Sequence, residues 1–371
     1  MRVNSLKLVN YRNYQELELA FQPALNIFIG CNAQGKTNIL EAVYYAACGS
    51  SFRGNSDGEL IKWNADGGSI SLGFSRLEVA NQLDFAFRRD KRRTIVYNGQ
   101  KIPLRELIGA FNVVLFAPDD LLLIKGAPAG RRKFLDMEIS QASPAYYREL
   151  ITYNRLLQQR NSLLKEIREG KSKAGMLEFW NPQMAASAAK ITAKRWEAVQ
   201  KFNMLANLMQ RRISGNEENL SLSYQIKGME NGQLAENMEI WYNEMLHGLN
   251  NEEIYRGVTC VGPHRDDIIV SVNGINLKSF GSQGQQRTAV LSMKLSELEF
   301  IRSETGEYPV LLLDDVMSEL DAGRRQQLLN FIEREGIQTL ITATDEAYFQ
   351  QAPLKTYFQV EAGQVKVVNK V

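Results

Sequence analysis

The residues best suited to chemistry form a glycine-rich segment near the N-terminus. Residues 30–37 read Gly-Cys-Asn-Ala-Gln-Gly-Lys-Thr, which fits the GxxxxGK[ST] pattern of a phosphate-binding loop. In such a loop, backbone N–H groups surround phosphate oxygens, the lysine reaches the β and γ phosphates, and the hydroxyl binds Mg²⁺. The segment therefore predicts binding of ATP and Mg²⁺ through Gly30, Asn32, Ala33, Gln34, Gly35, Lys36, Thr37 and Asn38.

The acidic pair Asp314 and Asp315 follows an apolar run at residues 310–313. A phosphate-binding loop needs a carboxylate at the end of a neighbouring strand to hold Mg²⁺ and to orient the attacking water. We expect Asp314 to hold Mg²⁺ together with Thr37, and Asp315 to act on the water. Lys36, Asp314 and Asp315 are thus the candidate catalytic residues. Paired carboxylates at such a position can instead cap a helix.

Strands and helices must position these groups. Residues 25–29 are an apolar run typical of a buried strand, and residues 37–48 have a helical apolar pattern that ends at Gly49. Two more runs, at 310–313 and 339–342, predict neighbouring buried strands. Asn-Gly pairs at 98–99 and 273–274 predict hairpins, because they supply the positive φ angles of a type I′ turn. The fold class is α/β.

A helical arm interrupts this pattern at residues 145–215. Apolar residues recur there at helical spacing on two seams, which are broken by Arg160 and Arg195, and two antiparallel helices are expected. The arm holds 13 lysines and arginines against five glutamates, so it carries +8 in a chain of net charge +2. Cations such as Lys190, Lys194 and Arg195 either contact phosphates or keep the helices soluble.

Residues 282–286, Ser-Gln-Gly-Gln-Gln, open a further predicted helix, and residues 318–321, Ser-Glu-Leu-Asp, follow the acidic pair. Together with the phosphate loop and the acidic strand, these segments resemble the ATP-binding-cassette ATPases. The 19-residue block 118–136 and the absence of a long coiled coil narrow the resemblance to the RecF family of bacterial recombination mediators, across essentially the whole chain. The resemblance implies an SMC-like P-loop ATPase head with an inserted arm or second lobe.

The same resemblance implies ATP-dependent homodimerisation, DNA binding, slow ATP hydrolysis, and cooperation with RecO and RecR in placing RecA on gapped DNA during repair and the SOS response. Ser282, Gly284 and Gln285 correspond to signature residues that contact the γ-phosphate held by the other subunit. Asp321 corresponds to the inter-subunit loop. Lobe I would comprise residues 1–135 and 305–371, and lobe II residues 136–304. Arg12 and Arg53 match positions near the nucleotide or the DNA face.

Three departures from general ABC chemistry favour slow turnover. The second acidic residue is Asp315, where transporters carry a glutamate with a longer reach. No histidine follows the next strand, and Thr344 is the expected stand-in. The segment 116–120, where a Q-loop is expected, contains no glutamine. These departures also weigh against the alternative of a transporter ATPase subunit. A nucleotide-sensing scaffold without DNA contact remains a further alternative.

A basic segment at residues 88–93 is the candidate DNA-binding surface, because it offers five cations to backbone phosphates. Its cations are Arg88, Arg89, Lys91, Arg92 and Arg93, to which we add Arg53. A basic hairpin can also be a solvated sheet edge guarded by charge. The polar run 262–267 is either a turn that positions the second lobe or a site.

Composition excludes several classes of protein. The chain has 371 residues, 44% hydrophobic and 23% charged, with no apolar run near the roughly 18–20 residues that a transmembrane helix needs. Its N-terminal residues alternate like a strand and lack a signal-peptide core, which predicts a cytoplasmic protein. Three scattered cysteines and two histidines make disulfide frameworks and zinc sites improbable.

Overall fold

The computed structural model describes residues 1–54, 56–230, 234–349 and 355–370. Its strands in chain order are β1 Arg2–Tyr11, β2 Tyr14–Ala20, β3 Leu25–Ile29, β4 Gly67–Arg76, β5 Val79–Arg88, β6 Lys91–Tyr97, β7 Gln100–Lys101, β8 Val113–Phe116, β9 Leu220–Gln225, β10 Asp267–Val272, β11 Ile275–Asn276, β12 Val310–Asp314, β13 Thr339–Ala343, β14 Lys355–Glu361 and β15 Gln364–Lys370.

The helices are α1 Lys36–Cys48, α2 Asp57–Leu60, α3 Leu104–Leu107, α4 Leu122–Lys125, α5 Pro128–Ala142, α6 Pro144–Arg168, α7 Leu177–Ile213, α8 Met238–Gly248, α9 Asn250–Arg256, α10 Leu277–Phe280, α11 Gln283–Thr305 and α12 Ala322–Glu335. Short 3₁₀ turns lie at Pro118–Leu121, Ala174–Met176, Val316–Ser318 and Glu346–Phe349. Within the described ranges, none of the helices is long and apolar enough to cross a membrane.

The chain divides into two units. Unit 1 is Met1–Asp120 with Glu297–Val371, and unit 2 is Leu121–Ser296. The lobe limits expected from the sequence fall inside α5 and α11, both of which are continuous helices. Unit 2 thus begins ahead of α5 and includes most of α11.

Unit 1 contains two six-stranded sheets, and one of them carries the nucleotide motifs. Its order is β15-β14-β3-β13-β12-β8, with β14, β3, β13, β12 and β8 parallel and β15 antiparallel at the edge. Every residue of β3, β12 and β13 is buried, as expected for parallel strands covered on both faces. Because parallel strands end at the same sheet edge, the loops after β3 and β12 lie close together.

The second sheet of unit 1 is antiparallel, with the order β2-β1-β4-β5-β6-β7. Its strands alternate buried and exposed residues, so one face packs into the core. The predicted Asn98-Gly99 turn joins β6 to β7 with φ angles of 48° and 81°. The β5–β6 hairpin carries the basic segment at its turn, because β5 ends at Arg88 and β6 begins at Lys91.

Unit 2 combines a three-stranded sheet, β11-β10-β9, with the helical arm. The arm consists of α6 and α7, of 25 and 37 residues, as the two seams predict. Glu149 bonds Ser187, while Arg160, further along α6, bonds Asn181, earlier on α7. This order of contacts shows that the two helices are antiparallel.

The two arginines that interrupt the seams are buried and fully engaged. The Arg160 guanidinium lies 2.7 Å from Glu253 Oε2, and both side chains are completely buried. Arg195 donates to both carboxylate oxygens of Asp136, at 2.9 and 2.8 Å, and to the Pro263 carbonyl at 2.5 Å. Arg195 is therefore a core residue and not an arm cation that faces solvent.

The polar run at residues 262–267 forms hydrogen bonds with several elements of unit 2. His264 Nδ1 lies 2.6 Å from the Tyr153 hydroxyl, and Tyr224 donates to Asp266 at 2.7 Å. Burial lowers the pKa of His264 to about 4 and raises the pKa of Asp266 to about 6. Asp267 accepts two bonds from Arg131, at 2.7 and 2.8 Å. The run holds strands and helices of unit 2 together.

Candidate functional site

The glycine-rich loop lies between β3 and α1, where close contacts explain its glycines. A Cβ on Gly30 would collide with the Val360 carbonyl oxygen. Gly35 has a φ of 112°, and a Cβ there would lie 2.5 Å from Asn13 Nδ2 and 2.8 Å from the Tyr14 hydroxyl. Glycine is the residue that tolerates both this φ angle and this crowding. The loop backbone therefore packs closely against β14 and the start of β2.

Lys36 folds back over the loop. Its Nζ donates to the carbonyls of Gly30, at 2.6 Å, and Cys31, at 2.8 Å. Burial lowers the pKa of Lys36, and the negative charges of Asp315 and Asp314 oppose that effect. The ammonium is therefore held at the mouth of the loop, where the phosphates of a nucleotide would be neutralised.

Thr37 and the acidic pair converge from α1 and β12. Thr37 Oγ1 donates to Asp314 Oδ1 at 2.8 Å, and Thr342 Oγ1 donates to the same oxygen at 2.9 Å. The Asp315 N–H donates to Thr342 Oγ1 at 2.9 Å. Mg²⁺ prefers oxygen ligands and commonly takes one or two from the protein, so the Thr37 hydroxyl and the Asp314 carboxylate fit this ion.

Asp315 has an unusual backbone and a perturbed carboxyl group. Its φ of 54° lies in the left-handed region, which is uncommon for residues other than glycine. Burial raises its pKa, Lys36 acts in the opposite direction, and Asp314 adds to the increase. A carboxylate with a raised pKa close to a phosphate site is suited to accept a proton from water.

These groups surround one pocket of about 270 Å³. Its lining residues are Asn32, Ala33, Gly35, Lys36, Thr37, Asn38, Arg53, Asp315 and Thr342. Asp314 lies directly behind this lining, through its bonds to Thr37 and Thr342. Gln34 faces another way, and its side chain accepts a bond from the Ala362 N–H at 2.6 Å.

The structure places Arg53 beside the phosphate-binding loop. This residue lines the pocket, and its Nη1 donates to Asn38 Oδ1 at 2.9 Å. Arg53 follows α1 after the left-handed Gly49, whose turn reverses the chain at the helix end. Of the two roles that the sequence left open, nucleotide contact and DNA contact, this position favours the nucleotide.

Arg12 is held beside the loop by a residue that the sequence did not single out. The fully buried Glu41 accepts from Arg12 Nε at 2.9 Å and from Arg12 Nη2 at 2.6 Å. Glu41 also accepts from Ser51 Oγ at 2.5 Å and lies 4.0 Å from Arg53. A buried carboxylate on α1 thus positions both arginines, and its location in a helical apolar pattern gave no signal of that role.

Thr344 lies outside the pocket lining and is exposed, whereas Thr342 occupies the position beside the acidic pair. The reason is geometric, since Thr342 pairs with Asp314 across the β12–β13 ladder and β13 ends at Ala343.

Asp321 caps α12 by accepting from the Arg324 N–H at 2.9 Å, and its side chain is 58% exposed.

The predicted signature residues lie at the N-terminus of α11 in unit 2. Ser282 Oγ accepts from the Gln285 N–H, and Gln285 Oε1 accepts from the Ser282 N–H, both at 3.2 Å. This reciprocal pair is a capping box, which fixes the start of the helix. Gly284 follows within the first turn, and Ser282 and Gln283 at the helix start are exposed.

The five hairpin cations are not equivalent. Arg93 donates to Asp57 Oδ1 at 3.0 Å and to the Tyr45 hydroxyl, and Arg89 donates to the Ala65 carbonyl at 3.0 Å. These two arginines are therefore engaged within unit 1. Arg88, Lys91 and Arg92 are exposed, and no described residue forms a salt bridge with any of them. Only these three are free to meet a charged ligand.

Comparisons with known proteins identify the family of this chain. Residues 2–368 match the family described as the RecF/RecN/SMC N terminal domain. The chain is 44% identical to the DNA replication and repair protein RecF of Alkaliphilus oremlandii, over 93% of both chains. It is 42% identical to RecF of Listeria monocytogenes, over 99% of this chain and all of the relative. The chain belongs to the RecF family.

Solved structures extend this result to the fold. A structure titled as the recombination mediator protein RecF with ATP in the RecFOR pathway matches this RecF-family chain with a TM-score of 0.92 at 34% identity, covering 99% of this chain and 98% of the other. An Smc head matches with a TM-score of 0.56 at 15% identity, which concerns the fold alone. The predicted family and the predicted SMC-like ATPase head fold are confirmed.

Proposed function

We propose that this chain is an ATP-dependent DNA-binding protein of DNA repair and replication, and a weak DNA-dependent ATPase. The observation that supports this most strongly is the convergence of Lys36, Thr37 and the acidic pair on one pocket. The RecF relatives, one of them solved with ATP, support the same function. Mg²⁺ held by Thr37 and Asp314 would neutralise phosphate charge. The chain would act in the cytoplasm.

Each residue has a defined part in this proposal. Lys36 binds the β and γ phosphates, exchanging its bonds to loop carbonyls for phosphate oxygens. Asp315 orients the attacking water and takes its proton, with Thr342 holding its backbone in place. Aspartate reaches less far than glutamate, and no histidine assists, so hydrolysis is slow and serves as a timer for release.

Two copies would enclose the nucleotides. The exposed N-terminus of α11, with Ser282, Gly284 and Gln285, would approach the γ-phosphate bound to the second copy, and Asp321 would lie at the same interface. Such an arrangement is isologous, so two nucleotides bind per dimer. ATP binding, rather than hydrolysis, would form the dimer.

DNA would bind to the dimer through Arg88, Lys91 and Arg92 of each copy. Phosphate contacts carry no base information, so sequence-specific readout is not expected. One solved relative is described as acting in the RecFOR pathway. RecO and RecR are accordingly the proposed partners, with promotion of RecA loading at gaps as the outcome.

The decisive experiment measures ATP-dependent assembly and DNA retention together. Ser282→Arg should abolish ATP-induced dimers in analytical ultracentrifugation while nucleotide still binds the monomer. Ser221→Arg, a substitution of another exposed serine in unit 2, is the matched control and should dimerise normally. A Ser282→Arg variant that dimerises at the parent's ATP midpoint would disprove the signature assignment.

The DNA path is tested by a salt titration with ATP present. A variant with Arg88, Lys91 and Arg92 changed to alanine should bind duplexes of any sequence more weakly, with a shallower salt slope, since each lost phosphate contact removes about 0.9 from the log–log slope. Lys190→Ala/Lys194→Ala removes exposed arm cations as a control. If the arm control loses DNA affinity while the hairpin variant binds like the parent, the DNA contact lies on the arm instead.

A further inference from the structure

Trp63 is the most exposed large apolar side chain in the described part of the molecule, with 87% of its surface accessible. The chain's other three tryptophans, Trp180, Trp196 and Trp241, are each partly buried. A fully solvated indole forgoes a large hydrophobic gain, and tryptophan is a common anchor for ligands. Trp63 therefore invites a functional explanation that the nucleotide pocket does not provide.

The turn that carries Trp63 is closed by backbone hydrogen bonds. The Ala65 N–H donates to the Lys62 carbonyl at 3.1 Å, and the Lys62 N–H donates to the Asn10 carbonyl at 2.8 Å. Asn64 has a φ of 65°, which asparagine tolerates better than most residues. The indole is thus presented at the tip of an ordered turn, so little backbone entropy would be lost when a ligand covers it.

The cationic hairpin is fastened to this turn by Arg89. The Arg89 guanidinium donates to the carbonyls of Ala65, at 3.0 Å, and Lys62, at 3.4 Å, on either side of Trp63. The Arg89 N–H also donates to the Asp66 carbonyl at 3.3 Å. Arg88 precedes Arg89 directly, and Lys91 and Arg92 follow after one residue. One arginine therefore joins the exposed indole to the three unpaired cations.

The chemistry of this surface fits nucleic acid better than a protein. Arg93 is paired with Asp57, but Lys62, Arg88, Arg89, Lys91 and Arg92 still outnumber the two exposed carboxylates, Asp66 and Asp90, so the surface is positive. Cations that hold a phosphate backbone beside an aromatic ring are the usual means of binding single-stranded segments, because every base offers a π-face. In an intact duplex, neighbouring base pairs cover those faces, so an unpaired base is the matching ligand.

We propose that Trp63 stacks on an unpaired base of DNA whose backbone is held by Arg88, Lys91 and Arg92. The inference rests on the proposed DNA binding and adds the element that distinguishes unpaired from paired DNA. Arg89 is a positioning residue, since it acts by holding the turn. The surface binds a fully paired duplex through charge alone, and a gapped duplex through charge and stacking together.

The test compares two labelled DNAs, a fully paired duplex and the same duplex with a short single-stranded gap, by fluorescence anisotropy with ATP and Mg²⁺. Trp63→Ala should weaken binding to the gapped DNA by about fivefold or more and leave the paired duplex unchanged. Trp63→Phe, which keeps a stacking ring, should retain most of the preference. Tyr255→Ala removes another highly exposed ring, in unit 2, and is the control.

A second readout is direct contact. Gapped DNA should quench the parent's tryptophan emission, and this quenching should disappear in Trp63→Phe, in which Trp180, Trp196 and Trp241 remain. The inference is overturned if Trp63→Ala binds each of the two DNAs as tightly as the parent does. It is also overturned if Trp63→Ala loses the same factor in affinity for the gapped DNA and for the paired duplex. If the variant with Arg88, Lys91 and Arg92 changed to alanine still shows weaker, less salt-dependent DNA binding, the proposed DNA path remains supported even when the Trp63 inference fails. If that variant binds DNA like the parent, the proposed DNA path and the Trp63 inference both fail.

Discussion

Replacing Arg195 with methionine should destabilise unit 2 severely, although the sequence places this residue among solvent-facing arm cations. Its side chain is 3% exposed and forms a two-point ion pair with Asp136. Methionine fills much of the volume but leaves the Asp136 carboxylate without its cation and the Pro263 carbonyl without a donor. Breaking a buried pair in this way costs about 3–5 kcal/mol.

Urea unfolding measures this cost, because three of the four tryptophans lie in unit 2 and report on it through fluorescence. With a urea dependence of about 2 kcal/mol per molar, the midpoint should fall by roughly 1.5–2.5 M. Lys194→Met is a control one residue away. The Lys194 side chain is 56% exposed and pairs with Glu197 at the surface, so its loss should cost less than about 0.5 kcal/mol.

A double variant separates the ion pair from packing. Arg195→Met/Asp136→Leu removes both charges, so no buried charge is left unpaired, and it should recover a large part of the lost stability. The reasoning is refuted if Arg195→Met unfolds within about 1 kcal/mol of the parent. It is also refuted if the double variant has a lower free energy of unfolding than Arg195→Met, because the two changes would then act independently.

Three further outcomes are expected. Gly30→Ala should abolish ATP binding in calorimetry, because its Cβ meets the Val360 carbonyl, whereas Gly130→Ala, at a helical site with open space, should bind normally. Asp315→Asn should keep ATP bound through Lys36 and Thr37 yet slow phosphate release about a hundredfold. Lost nucleotide binding would contradict that role. Burial lowers the pKa of His264 from 6.5 to about 4, so its NMR signals should show a neutral ring at pH 5. The unfolded chain takes up this proton first as pH falls from about 6.5 to 4, so the residue's contribution to stability declines across that range, and His264→Gln should remove the decline.

Local patterns in the sequence predicted the elements that build the nucleotide site. The apolar run before the glycine-rich loop is β3, α1 ends at Gly49 with a φ of 62°, and residues 310–313 lie in a fully buried strand. Each of these features depends on a few adjacent residues and the period of one element. For that reason a strand, a tight loop and a helix could be read without any knowledge of distant contacts.

Interactions between distant residues could not be predicted in this way. The partners of Arg195 lie 59 and 68 positions away, at Asp136 and Pro263, so its charge looked like a surface feature. The sequence singled out Thr344, whereas Thr342 lies in the pocket lining, because this position depends on where β13 ends relative to β12. The burial of Glu41 likewise could not be predicted, because it depends on Arg12, which follows β1 and is 29 positions away.

The polar contacts between α6 and α7 restrict how the arm can move. Arg160 bonds Asn181, and Glu149 bonds Ser187, so the two helices are joined at two levels. Sliding one helix past the other by a turn, about 5.4 Å, would break these hydrogen bonds and leave the buried Asn181 amide oxygen without its donor. An apolar seam alone would permit such a shift at lower cost. The arm therefore keeps a single register, and its two helices are expected to move as one body.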